Sequence, residues 1–280
     1  MKKYLIILMI LLITVMNFAN LKIAVSIVPE KYFVERIAGG KAEVFELIPP
    51  GYSAANYAPT TRQLIEFADS DLYFSIGVPT EEANILPRIA QNAPDVKIID
   101  LAGYVDSKYA PRYFTPEKRD PHIWLSPKRM IAATDKIAEE LSRIDEANTE
   151  FYHDNAEALK DNLYTLDKEL NGILQNLQYR GFFIYHPAFG YFGDDYDLKM
   201  YALEKDGKEA TPKRLAEMID TARDKGIKVI FYQTEIDSSQ VETFAGEIGG
   251  KALQVNPLAY DYIDNLKKVG DTFKDVLSDE

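Results

Sequence analysis

Only three histidines occur in this chain of 280 residues, and two of them stand in short turns dense with reactive groups. One turn reads Asp120-Pro121-His122-Ile123-Trp124-Leu125-Ser126-Pro127; the other reads Tyr185-His186-Pro187-Ala188-Phe189-Gly190-Tyr191-Phe192. Imidazole is the commonest protein ligand for metal ions, and its ordinary pKa leaves it neutral at pH 7. One lone imidazole in each half of the chain predicts a site closed between two domains. His153, among Asp154, Asn155 and Glu157, reads as a solvated helix residue. A histidine pair can also act as acid and base. However, the chain has no Gly-x-Ser-x-Gly elbow, Gly-x-Gly-x-x-Gly turn, Walker loop or His-Glu-x-x-His helix, so an enzyme is not expected.

The elements that must position these turns follow from the apolar pattern. Short continuous apolar runs predict buried strands over 22–28, 43–48, 71–76 and 96–101, with helical stretches over 30–38, 61–68 and 81–91. The second half repeats the scheme, with strands over 182–185, 198–203, 227–232 and 252–255 and helices over 213–225, 239–248 and from 260 to the C-terminus. Gly226 and Gly249-Gly250 mark helix ends. Such alternation predicts an α/β protein of two lobes, each a parallel β-sheet flanked by helices. A helix over 128–144 ends the first lobe. Beyond it, Ala156, Leu159, Leu163, Leu166, Leu170, Ile173 and Leu177 line one face of a helix of about seven turns. We expect an N-terminal lobe over 20–145, one long bridging helix within 146–180 and a C-terminal lobe over 181–280.

The first 19 residues have a Met1-Lys2-Lys3 start, an apolar run and Ala19, the pattern of a signal peptide. The run is short for a bilayer span. There is no cysteine, hence no lipid-acceptor thiol and no disulfide framework. A periplasmic location is expected. The net charge of -12 argues against nucleic acid, which needs a basic footprint.

Pro49-Pro50-Gly51-Tyr52-Ser53-Ala54-Ala55-Asn56-Tyr57-Ala58-Pro59-Thr60 is a stiff loop leaving a strand's carboxyl end, where ligands of open parallel sheets bind. Thr60 or Thr61 is placed to cap the next helix. With its Pro50-Gly51 and Tyr57-Ala58-Pro59-Thr60, the two histidine turns and Val229-Ile230-Phe231, the chain resembles the periplasmic zinc- and manganese-binding proteins of ABC metal transporters over nearly all of its mature length. The resemblance implies one divalent metal ion held between the lobes and delivered to a membrane permease. His122 and His186 match two of the family's ligands. The family's first histidine falls on Ala55, and its C-terminal aspartate falls on Asn256.

Two imidazoles leave positions open around zinc, which usually takes four ligands. Glu235 is ranked first to fill one, because it carries charge at the end of a C-lobe strand; Gln233 and Asn256 follow, and Tyr57 can reach from the N-lobe. Trp124 and Tyr191 are expected to border the histidines and exclude water. Asp194-Asp195 reads as a solvated turn. Zinc is expected ahead of manganese, and the protein is expected to be a monomer. The alternative is the same scaffold binding a metal chelate or other small ligand, motivated by Ala55.

Overall fold

The computed structural model describes residues 20–205, 207–234 and 239–278. The expected signal segment over 1–19 and Glu235 lie outside the described residues. The N-terminal lobe runs β1 (Leu21–Val25), α1 (Val28–Ala38), β2 (Ala42–Glu46), α2 (Thr61–Ala68) and β3 (Leu72–Ser75). A π-helical turn (Glu81–Ile85) leads into α3 (Leu86–Asn92), then β4 (Lys97–Asp100) and α4 (Leu101–Asp106). Thr60 caps α2: its side chain accepts from the Gln63 amide. A small antiparallel hairpin, β5 (Tyr113–Thr115) and β6 (Lys118–Arg119), precedes a 3-10 turn (Ile123–Leu125) and α5 (Pro127–Ile144). Neither the hairpin nor α4 is foreseen by apolar periodicity, because both are too short to show a period.

The bridging helix is α6 (Thr149–Leu174), 26 residues long. Its buried positions Tyr152, Ala156, Leu159, Leu163, Leu166, Leu170 and Leu174 recur every three or four residues, giving one apolar stripe. The C-terminal lobe runs β7 (Gly181–Ile184), α7 (Gly190–Asp195), β8 (Lys199–Ala202), α8 (Pro212–Asp224), β9 (Val229–Gln233), α9 (Ser239–Glu247), β10 (Lys251–Val255) and α10 (Tyr262–Leu277). Helix α6 packs on α1 and α5 of one lobe and on α10 of the other. Gly270 of α10 permits the last contact, since a Cβ there would press on the Leu170 side chain.

Both four-stranded sheets are parallel, in the orders β2-β1-β3-β4 and β10-β9-β7-β8. Counted within each lobe, the orders are the same: the second strand beside the first, then the third, then the fourth. Each sheet therefore has a crevice at the carboxyl ends of its first and third strands, where connections leave in opposite directions. Strands β3 and β7 are buried throughout, as central parallel strands must be. One apolar core runs from Ile23 through α6 to Leu277, so both lobes share a single packed interior. A smaller cluster around Phe67, Tyr73 and Ile89 covers the outer face of the N-terminal sheet.

Candidate metal site

His186 sits just past β7, at the crevice of the C-terminal lobe. Gln233, the last residue of β9, clasps its backbone: the Gln233 Nε2 donates to the His186 carbonyl at 2.8 Å, and its Oε1 accepts the His186 amide at 3.3 Å. Glu204 follows β8, and its amide donates to the Tyr185 carbonyl at 3.0 Å. That register brings the Glu204 carboxylate to the His186 Nδ1, at 3.0 and 3.1 Å.

His122 comes from the turn ahead of α5 rather than from a sheet. Its amide and its ring Nδ1 both donate to Asp120 Oδ1, at 3.0 and 2.7 Å. The Trp124 ring lies 5.1 Å from the His122 ring, and its Nε1 donates to the Pro257 carbonyl of the other lobe at 2.8 Å. Burial lowers the His122 pKa, against the opposing pull of the Asp120 carboxylate. The ring is thus neutral at pH 7.

The two imidazoles converge, with Nε2 to Nε2 at 3.2 Å. Each Nδ1 faces a carboxylate, and the neutral His122 ring, with its proton on Nδ1, turns its Nε2 lone pair toward His186. At this separation the two Nε2 atoms can share a proton or a metal ion. With zinc–nitrogen bonds of 2.0–2.1 Å, this spacing corresponds to a nitrogen–metal–nitrogen angle of about 100°, near tetrahedral. Among the described residues, no group of three or more His, Cys, Asp or Glu side chains is set to hold an ion.

The other expected site residues are dispersed. Asn256 is exposed, and its Oδ1 accepts the Leu258 amide at 2.9 Å. Pro257 and Leu258, not Asn256, form the cleft wall there. A local turn engages the Asn256 side-chain oxygen in this structure. Tyr57 turns to Gln63, donating its hydroxyl to Oε1 at 2.8 Å, while Ala55 and Asn56 line the cleft. Tyr191 is buried, donates to the Asp120 carbonyl at 3.1 Å and accepts the Arg112 amide at 2.9 Å.

Asp194 is exposed as expected, whereas Asp195 is largely buried. Arg112 grips Asp194 with Nη1, at 2.7 and 2.8 Å, while its Nε lies 3.2 Å from Asp120 Oδ2. Asp195 accepts from Ser126 and, at 3.1 Å, from Arg129, whose guanidinium stacks 4.4 Å over the Tyr191 ring. Burial raises the Asp195 pKa; Ser126 and Arg129 oppose the rise. These aspartates fasten α7 to the N-terminal lobe. Two further residues escape sequence reading. Asp120 stands in plain view two residues before His122, whereas Glu204 has no local signal and reaches His186 only through the β7–β8 pairing.

The crevice of the N-terminal lobe holds a different cluster. Glu30 Oε2 accepts the Ser26 and Ile27 amides at 2.9 and 3.0 Å. Glu81 accepts the Ile76 and Gly77 amides at 2.9 and 2.8 Å, and also the Ser26 hydroxyl, which meets the Tyr73 hydroxyl. Both carboxyls are buried. Burial raises Glu81 to about 7, and burial together with the Glu81 charge pushes Glu30 well above the usual carboxyl range.

Known proteins share this fold. A crystal structure of ZnuA superposes with a TM-score of 0.88 at 32% identity, covering 92% of this chain and all 100% of that one. The structure of FpvC from Pseudomonas aeruginosa in complex with Mn²⁺ gives 0.80 at 26% identity, covering 92% and 98%. The high-affinity zinc uptake system protein ZnuA of Bacillus subtilis is 26% identical, over 92% of this chain and 88% of its own. The family model for the periplasmic zinc-uptake complex component A matches residues 23–276. With two like-ordered lobes, a bridging helix and paired imidazoles in the cleft, the chain belongs to this family of metal-binding solute-binding proteins, which are not enzymes.

Proposed function

We propose that this protein captures a divalent metal ion between its lobes and delivers it to the membrane permease of an ABC transporter. The carrying observation is the 3.2 Å approach of two Nε2 atoms whose Nδ1 protons are both engaged. His122 and His186 supply nitrogen, which favours zinc over manganese. Glu235, four residues before the start of α9 at Ser239, is the charged residue assigned to a further position. Export by the segment over 1–19 would place the protein in the periplasm as a monomer, and no described helix is long and apolar enough to cross a membrane.

Calorimetry with Zn²⁺ and Mn²⁺, paired with elemental analysis, tests this reading. One ion per chain is expected, lost in His122→Ala and in His186→Ala. A wild-type protein that neither evolves heat nor retains metal ends it.

A second reading has one observation in its favour: Ala55, which carries no donor, lines an open cleft of about 1540 Å³. A metal chelate would bring its own donors to the two imidazoles. Native mass spectrometry showing an organic mass together with the metal would select it.

A further inference from the structure

We propose that Arg112 is a positioning residue for His122, holding in place the carboxylate that orients the ring. This inference rests on His122 being a metal ligand. The chain of contacts is continuous: Asp194 of α7 holds Arg112 Nη1, Arg112 Nε faces Asp120 Oδ2 at 3.2 Å, and Asp120 Oδ1 receives the His122 Nδ1 proton at 2.7 Å. Asp120 is fully buried, and Arg112 is its ion-pair partner on Oδ2. Arg119, the other cation nearby, is committed to Asp106 by a two-pronged pair at 2.7 and 2.9 Å.

The backbone is shaped for the same contact. Gly190 opens α7 directly against this pair: an added Cβ would strike Arg112 Nε and lie 2.6 Å from Asp120 Oδ2. Tyr191 closes the junction, accepting the Arg112 amide and donating to the Asp120 carbonyl. The lobe contact and the ligand's orienting group therefore share one guanidinium.

Asp194 touches only the outer end of Arg112, whereas Arg112 itself touches Asp120. The two ends are thus separable. Zn²⁺ affinity, by competition with a chromophoric chelator, and the imidazole ¹⁵N spectrum of the metal-free protein read the difference. In Arg112→Met, Kd rises about tenfold to a hundredfold and His122 shows mixed tautomers. In Asp194→Asn, Kd changes less than about threefold and the His122 spectrum is that of the wild type. Arg112→Lys keeps a cation beside Asp120 and follows Asp194→Asn; Gly190→Ala, which wedges the pair apart, follows Arg112→Met. The proposal is overturned if Arg112→Met and Asp194→Asn weaken binding equally and both leave His122 in its Nδ1-protonated form. Should Arg112→Met fail to fold, a Gly190→Ala protein with an unaltered His122 spectrum overturns it as well. Absence of zinc binding in the wild type would instead strike the metal-capture reading, since the metal-free spectrum still tests Arg112.

Discussion

In the C-terminal lobe, the crevice between β7 and β9 presents His186, with Gln233 holding the backbone on both sides of the ring's attachment. In the N-terminal lobe, the matching crevice between β1 and β3 is filled by Glu30 and Glu81, bound to the Ser26, Ile27, Ile76 and Gly77 amides. The strand order is the same, and the amide donors at the strand ends are the same kind of resource. One lobe places an imidazole there; the other fills the position with its own carboxyls. The consequence is that the second imidazole comes from outside the sheet, on the turn before α5, and is oriented through Asp120 and Arg112. One imidazole is held by its own sheet, and the other by the contact between lobes.

The largest way to break this contrast is at His186. Replacing Gln233 with Ala removes both backbone hydrogen bonds from a buried site, and Zn²⁺ affinity is expected to fall by about ten- to a hundredfold, with little change in the N-terminal lobe. Titration with a competing chelator, beside a thermal melt of the metal-free protein, checks both halves. Glu204→Gln follows. Its amide no longer accepts the Nδ1 proton at both atoms, and about a tenfold loss of affinity is expected. Gln233→Ala and Glu204→Gln proteins that bind as tightly as the wild type would show that the C-terminal lobe does not hold its own ligand.

The N-terminal crevice makes a prediction about pH. Glu81 is raised from an ordinary value of 4.5 to about 7, so the folded state binds its proton more tightly than the unfolded chain does. Its contribution is therefore fully present below about pH 4.5 and is lost as pH rises through 7. Metal-free protein is expected to be more stable at pH 5.5 than at pH 8 by about 1–2 kcal/mol from this group, and Glu81→Gln should flatten that slope. Urea denaturation at both pH values measures it; an equal slope in wild type and variant refutes the assignment. The smallest effect is expected at the lobe boundary. Trp124→Phe loses the bond to Pro257 while keeping an aromatic ring against His122, at a cost of about 1 kcal/mol in stability.

Much of this architecture is legible in the chain. The strands and the long helix are visible because burial imposes its own periods: unbroken apolar runs for parallel strands, and Tyr152-Ala156-Leu159-Leu163 spacing for α6. His122 and His186 stand out because they are scarce and lie in distinctive turns. Asn256 is nominated because the family's C-terminal aspartate falls on it, and the turn that engages its side chain is not visible from spacing alone. Asp195 is misread because an acidic pair in a short segment usually faces water, as Asp194 does, and nothing local announces Arg129.

By itself the sequence determined the periodic elements, the charge, the two imidazole turns and hence the kind of chemistry available. Those are local properties, set by side-chain type and by spacing within one element. Only the tertiary structure decided which carboxylate faces which ring, that Glu30 and Glu81 share one crevice, and that Arg112 joins Asp194 to Asp120. These partners are brought together by strand pairing and lobe docking across tens of residues. Their energies depend on burial, which no single stretch of chain contains.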